Sequence, residues 1–443
     1  MNHRNRGHSV RFVCLTVAVV GMWMSHARAE EKPRPLMRDF MGLNGHTVQF
    51  KPELYAPVAK VIRDYHPIKW DFGDDTSFAT TFPLARNKVD WSKVYGSWVK
   101  AGLRVDACLQ FDLEANEWKD MSRDAAAYGE AFARAFGPSS RALVESAEIG
   151  NEPGKYSDAQ YRQVFEAMAG GLRKGDPKLR IATCAANLGP SGRYSKSVDC
   201  LAGLESLYDI VNIHIYAEIE GWPTWRRGAP EDPKTKFIEH MRSVLTWRAE
   251  HAADKELWLT EFGWDASSKP APATGTFAKW EGSTETQQAQ WIVRAWLIAA
   301  RLGVDRAYLY FFNDSDDAHV HGSSGLTRNF LPKPAYYSAA WLQSSLGEYR
   351  FSRVLREDAA DGWAYEFVHG SDPQRRVIAA WRVSGDEAPA TLPISAKEIT
   401  KVERMPMSAT PAAAIEATPD GDKGTRVPLA EAPMLIWKTG ASQ

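Results

Sequence analysis

Cysteine is scarce in this chain, with four in 443 residues. Cys14 sits inside an N-terminal apolar run, away from its cleavage point, so a lipidated N-terminal cysteine is not expected. Cys108, Cys184 and Cys200 are an odd set without ligand-like spacing. They argue against zinc and allow at most one disulfide. Free buried thiols are the expectation for Cys108 and Cys184. Positive charge is not in excess either, with 54 Lys and Arg against 55 Asp and Glu. The first 29 residues hold four arginines and no acid, so their loss takes the formal charge from -1 to -5. A mildly acidic chain has no electrostatic reason to bind nucleic acid or anionic membranes. Beyond the leader no apolar run is long enough to span a bilayer. The first strand runs into Asn44-Gly45-His46-Thr47, which lacks the Gly-rich phosphate turn of a dinucleotide fold.

What is present starts with that leader. Arg4, Arg6 and Arg11 precede an apolar stretch up to Met24, and Ala27-Arg28-Ala29 forms a small-x-small site before Glu30. This is a secretory signal pattern over 1–29, and it predicts a secreted or periplasmic protein with no membrane insertion after cleavage. The remaining 414 residues exceed one ordinary core, so a large and a small domain are expected. The chain has 17 tryptophans. Many will be core, and the surplus suits stacking on sugar faces.

From residue 40 to 346 short apolar runs alternate with helical patterns. Candidate strands are Phe40–Gly45, Pro67–Asp71, Leu103–Leu109, Glu145–Asn151, Leu179–Cys184, Ile210–Tyr216, Glu256–Phe262 and Arg306–Phe312. Capping boxes at Ser157/Gln160 and Thr284/Gln287 start two strong helices, and Asp232-Pro233 starts a third. Fainter helices are expected over Pro52–Asp64, Asp90–Ala101, Ser122–Phe136 and Ser197–Leu207. Eight such repeats predict an α/β fold, a (β/α)8 TIM barrel over 40–346. After 347 short strand-like runs broken by Gly, Pro and Asp predict a small all-β sandwich over 347–443. Residues 30–39 form a Pro-rich linker or an extra strand.

Two carboxylate segments carry the chemistry. Glu148-Ile149-Gly150-Asn151-Glu152-Pro153 and Leu257-Trp258-Leu259-Thr260-Glu261-Phe262-Gly263-Trp264 each run from an apolar stretch through a glutamate into a turn. The strand C-termini of a parallel barrel open on one face, so two acids 109 residues apart can converge there. Paired carboxylates of this kind cleave glycosidic bonds. With Leu257 and Leu259 taken as pointing inward, alternation places Glu261 at the barrel mouth. Asn212, His214 and Tyr216 share an inward face in the same way. Glu148 lies deeper, where a Lys or Arg partner is expected. The assignment is Glu152 as acid/base and Glu261 as nucleophile, with Tyr216 donating to Glu261 and Asn151 reaching a substrate hydroxyl. For His214 a purely structural role is equally open. Trp222, Trp225, Trp264 and Trp280 fall on the loops after strands six and seven; sugar stacking is expected of one or two of them and loop pinning of the rest, with Trp222, Trp264 and Trp280 carried as the substrate-binding candidates. Asp71, Asp74, Asp75, Asp112 and Glu114 fall near other strand ends, as hydroxyl ligands or solvated charges.

Ile-Gly-Asn-Glu-Pro at 149–153 and Thr-Glu-Phe-Gly-Trp at 260–264 resemble the fourth- and seventh-strand signatures of clan A glycoside hydrolases. Among these, family 39 and related bacterial exopolysaccharide glycosidases are the most similar. The resemblance covers roughly 40–346 and extends to Pro332-Lys333-Pro334-Ala335-Tyr336-Tyr337. It implies a barrel, a retaining mechanism, Asn151 as a 2-hydroxyl contact and Tyr216 as the nucleophile's support. Many members of the clan carry an arginine late on strand two, where this sequence offers Lys69. A lysine does not reproduce the planar fork. The expected function is a secreted retaining glycosidase acting on a polysaccharide or oligosaccharide without metal or organic cofactor. A non-catalytic carbohydrate-binding barrel and a transglycosylase are the alternatives.

Overall fold

Eight parallel strands close on themselves. The computed structural model describes residues 1, 33–46 and 51–439, so the leader expected over 1–29 lies, but for Met1, outside the described residues. From Arg34 onward the chain forms one unit. Its barrel strands are β1 Met41–Gly45, β2 Val61–Pro67, β3 Arg104–Gln110, β4 Ser146–Gly150, β5 Arg180–Asn187, β6 Ile210–His214, β7 Glu256–Phe262 and β8 Arg306–Leu309. Each pairs with its neighbours in chain order, and β8 pairs with β1 to close the ring.

The second strand departs from the sequence expectation. The expected helix over Pro52–Asp64 is only Pro52–Tyr55. Pro57 follows at once, and its ring and missing N–H forbid a longer helix. The strand then occupies Val61–Pro67, and the run expected to be a strand forms the helical turn Ile68–Phe72. The expected helix over Ser197–Leu207 is likewise two short 3-10 turns, Val198–Leu201 and Glu205–Leu207.

The strong helices form where their caps predict. Asp158–Gly175 and Glu285–Leu302 both start in complete capping boxes, and the second stops at Gly303 with φ +103°. After Asp232-Pro233 comes a 3-10 turn, and the helix itself is Phe237–His251.

Inside the ring, Val61, Ala182, Ile210, Trp258 and Tyr308 form one apolar cluster. Trp258 therefore points inward, and period-two alternation sends Leu257 and Leu259 outward to the helix layer. This reverses the parity expected for β7. Glu261 still reaches the mouth, because the pairing of β7 slips by one residue on both sides, between Leu259 and Glu261 against β6 and between Leu259 and Phe262 against β8. The bulge lets Thr260 and Glu261 both turn inward: Thr260 donates to Asn212 and Glu261 faces the cleft.

After the last barrel helix, Pro334–Leu346, the chain builds antiparallel sheets. The larger contains β9 Tyr349–Asp358, β10 Gly362–His369, β11 Arg375–Trp381, β13 Ile399–Arg404 and β15 Met434–Thr439. The smaller pairs β12 Ala388–Leu392 with β14 Thr425–Leu429. Ile378, Ala380, Leu392, Val427, Leu429 and Ile436 fill the space between them. Ties join this sandwich to the barrel: Trp381 donates to Glu231 at 2.7 Å, and Arg294, which also holds Glu231, donates to the Val383 carbonyl at 2.8 Å. Cys108, Cys184 and Cys200 are free and buried.

Candidate active site

At the C-terminal mouth of the barrel lies a cavity of about 690 Å³. Glu152 and Glu261 both line it, together with Asn151, His214 and Tyr216. One carboxylate oxygen from each glutamate and a ring nitrogen of His214 all lie within 4.8 Å of one another.

The end of β4 turns sharply to deliver its residues. Gly150 has φ +112° and Asn151 φ +55°. Two successive left-handed residues swing the chain out of the strand, which glycine and asparagine tolerate best. Asn151 and Glu152 then present both side chains to the cleft instead of alternating.

Arg63 of β2 organises the floor and was missed from sequence. Its guanidinium grips Glu148 through two bonds of 2.8 Å. It also donates to Asn44 at 2.8 Å, Asn151 at 2.9 Å and Glu261 at 3.2 Å. The expected cationic partner of Glu148 is thus an arginine on strand two. Lys69, offered by sequence for that part of the site, is half-exposed on the following helical turn and pairs with Glu117 at 2.7 Å. The error follows from the misplaced strand. Val61-Ile62 after Pro57 was the available signal, since a β-branched pair beyond a helix breaker starts a strand. Tyr65, two residues on and on the same face, was missed with it.

Glu261 is almost wholly enclosed. Its Oε1 accepts from Tyr65 at 2.6 Å and from Arg63, and its Oε2 accepts from Tyr216 at 2.8 Å. Nδ1 of His214 stands 3.5 Å from Oε2. Burial alone would raise its pKa, but the charges of His214 and Arg63 and the two tyrosine hydroxyls outweigh it and hold the carboxyl at about 2. Glu152 is more open, with a quarter of its side chain exposed, and accepts from His214 Nδ1 at 2.9 Å. Burial opposes the charge on His214, yet Glu261 and Glu152 raise its pKa above the ordinary value. Its Nε2 is buried without a partner.

A cation could be imagined between Glu152, His214 and Glu261. Glu261, however, already accepts three hydrogen bonds, one of them from a fixed guanidinium that would repel a metal. This donor set suits a carboxylate kept ionised.

The tryptophans divide differently from expectation. Trp225 lines the cleft, as does Trp70 from the turn after β2. Trp264 is fully buried and donates to the Gly228 carbonyl at 2.8 Å. Trp280 is also buried, Trp222 is 71% exposed, and none of these three lines the cavity. Trp264 and Trp280 pin their loops through burial, and Trp222 faces solvent elsewhere. His46, Gln110, Tyr310 and His321 also line the wall and carried no sequence signal. Asp71 is a buried structural acid that takes hydrogen bonds from Trp91 and Tyr128 at 2.8 Å each.

A closed parallel barrel carries the two glutamates at its C-terminal mouth. The chain shares this fold with solved structures. It is similar to a family 39 glycoside hydrolase from the gut symbiont Bacteroides cellulosilyticus WH2, with TM-score 0.68 and 16% identity over 92% of this chain and 83% of that one. A GH30 endoxylanase from Clostridium papyrosolvens C71 matches at TM-score 0.58 and 11% identity, over 92% and 98%. AbfB, a family 51 alpha-L-arabinofuranosidase from Bifidobacterium longum, matches at 0.59 and 13%, over 93% and 98%. These are clan A folds, the group whose strand-end motifs the sequence resembles. No protein-family model and no curated protein matches the chain.

Proposed function

We propose that this protein is a retaining O-glycosidase. The observation that carries the reading is the approach of the Glu152 and Glu261 carboxylates to within 4.8 Å. Inverting enzymes need about 6.5–9.5 Å to admit a water between the pair, whereas retaining enzymes hold it at about 5–5.5 Å.

In the first step a Glu261 oxygen attacks the anomeric carbon. Oε2 suits this role, since it accepts one hydrogen bond where Oε1 accepts two. The bond from that carbon to the leaving oxygen breaks, and Glu152 gives the leaving oxygen its proton. In the second step Glu152 takes a proton from water, the water oxygen bonds to the anomeric carbon, and the ester to Glu261 breaks. Asn151, held by Arg63, faces the reacting sugar's hydroxyls. Trp225 and Trp70 offer aromatic faces. The leader pattern supports export, and among the described residues no helix is long and apolar enough to cross a membrane.

An activated 2-fluoro-glycoside tests the reading. Peptide mass mapping should find one glycosyl adduct, on Glu261. Failure to label across several sugar configurations would favour a barrel that binds sugars without cleaving them.

A further inference from the structure

The cations around the cleft are already committed. Arg63 is matched by Glu148, and Arg227, itself buried, lies 3.1 Å from Asp265 and donates to the Gly263 carbonyl at 2.9 Å. His214 is shared by Glu152 and Glu261. Among the described residues no lysine or arginine lines the cavity, whereas the carboxylates of Glu152, Glu218 and Glu261 do. Glu218 is exposed at the mouth, two residues beyond Tyr216. The remaining imidazoles add no positive charge near neutrality. Burial lowers the pKa of His46, and burial with the neighbouring Arg227 holds His321 at about 4. Groups left to recognise a ligand are neutral: the amides of Asn151 and Gln110, the hydroxyl of Tyr310, and the faces of Trp70 and Trp225.

We propose that this cleft takes a neutral glycan and rejects sugars carrying a carboxylate or sulfate, with Glu218 acting as a selecting charge at its mouth. The proposal rests on the glycosidase reading above and names its substrate class. An anionic sugar entering here meets a net negative wall in which, among the described residues, no lysine or arginine takes part. One uncompensated carboxylate about 12 Å away disfavours it roughly tenfold at an effective dielectric of about 20, and added salt weakens that penalty.

The test uses the full chain on several acidic polysaccharides, each in its native form and after chemical reduction of its uronic carboxyls to primary alcohols, alongside neutral polysaccharides. Release of reducing ends is measured. Cleavage should be confined to neutral and carboxyl-reduced chains, or run at least about tenfold faster on them, with the gap narrowing in salt. Glu218→Gln should raise the rate on native acidic chains relative to their reduced forms. A native acidic chain cleaved as fast as its reduced form overturns the inference. So does labelling of Glu261 by the fluoro-glycoside without cleavage of any neutral chain. Absence of both labelling and cleavage removes the glycosidase reading itself.

Discussion

The ends of β4 and β7 deliver the same side chain to the same cleft and surround it differently. Glu261 on β7 is buried, receives hydrogen bonds from three side chains and is held ionised down to about pH 2. Glu152 beyond β4 has one hydrogen-bond partner and keeps a quarter of its side chain in reach of solvent. A nucleophile must stay charged and fixed in place, whereas an acid/base must exchange a proton with water once per turnover. The contrast teaches that the two roles proposed for these glutamates follow from what surrounds each carboxylate, since the residue type is identical.

Removing the fixed member should have the largest effect. Glu261→Gln is expected to lower turnover on the order of 10⁴-fold or more while sugar affinity persists, because no covalent intermediate can form. Steady-state rates with calorimetric binding check both halves, and near-normal turnover would refute the assignment. The exposed member should show a graded response. Glu152→Ala is expected to cost about 10²–10⁴-fold on natural glycosides and much less on substrates with acidic phenol leaving groups. Equal losses on the two substrate types would remove the acid role.

The support beneath Glu261 offers the next test. Arg63→Met leaves Glu148 buried without its cation and should destabilise the protein by about 3–5 kcal/mol, read from the urea midpoint. A variant as stable as the parent would mean that the floor of the barrel takes up water easily. Tyr65→Phe removes one hydrogen bond to a charged oxygen and should cost about 1.5–3 kcal/mol of the nucleophile's stabilisation. Its signature is a shift of the acid limb of kcat/KM to higher pH, since the carboxyl then protonates sooner. The wild-type sign is fixed by the same depressed pKa. Stability from ionised Glu261 is present above its ordinary value of 4.5 and is lost as pH falls towards about 2.

Sequence reached the carboxylates more easily than their surroundings. The Asn151-Glu152 and Thr260-Glu261 segments stand at strand ends marked by Gly and Pro, which is a local signal. The barrel was legible for the same reason, through capping boxes and repeated apolar runs. Arg63 was hidden because Pro52 announces a helix that Pro57 ends almost at once. Leu257 and Leu259 look like interior residues, yet Trp258 fills the barrel and a bulge re-aims Glu261. Bulges arise from pairing with neighbouring strands, and one strand's alternation cannot report them. Loop tryptophans are equally opaque, since Trp264 and Trp225 have similar contexts and opposite environments.

His214 sharpens the comparison most finely, because it touches both glutamates. Its Nδ1 lies 2.9 Å from Glu152 and 3.5 Å from Glu261, so one proton serves two carboxylates. Its raised pKa means that the imidazolium's stabilising contribution is full below the ordinary 6.5 and is lost as pH rises through the folded value. His214→Asn keeps a short polar side chain and removes the charge. Fold stability should fall most below pH 6.5 and progressively less as pH rises through the folded value, while the acid limb of kcat/KM moves upward as Glu261 loses a neighbouring cation. The displacement should be at least as large as that of Tyr65→Phe, since the charge of His214 is the strongest of the influences that hold the Glu261 carboxyl down. An unmoved acid limb with reduced melting temperature would make His214 a packing residue, and the difference between the two glutamates would then rest on Arg63 and the tyrosines alone.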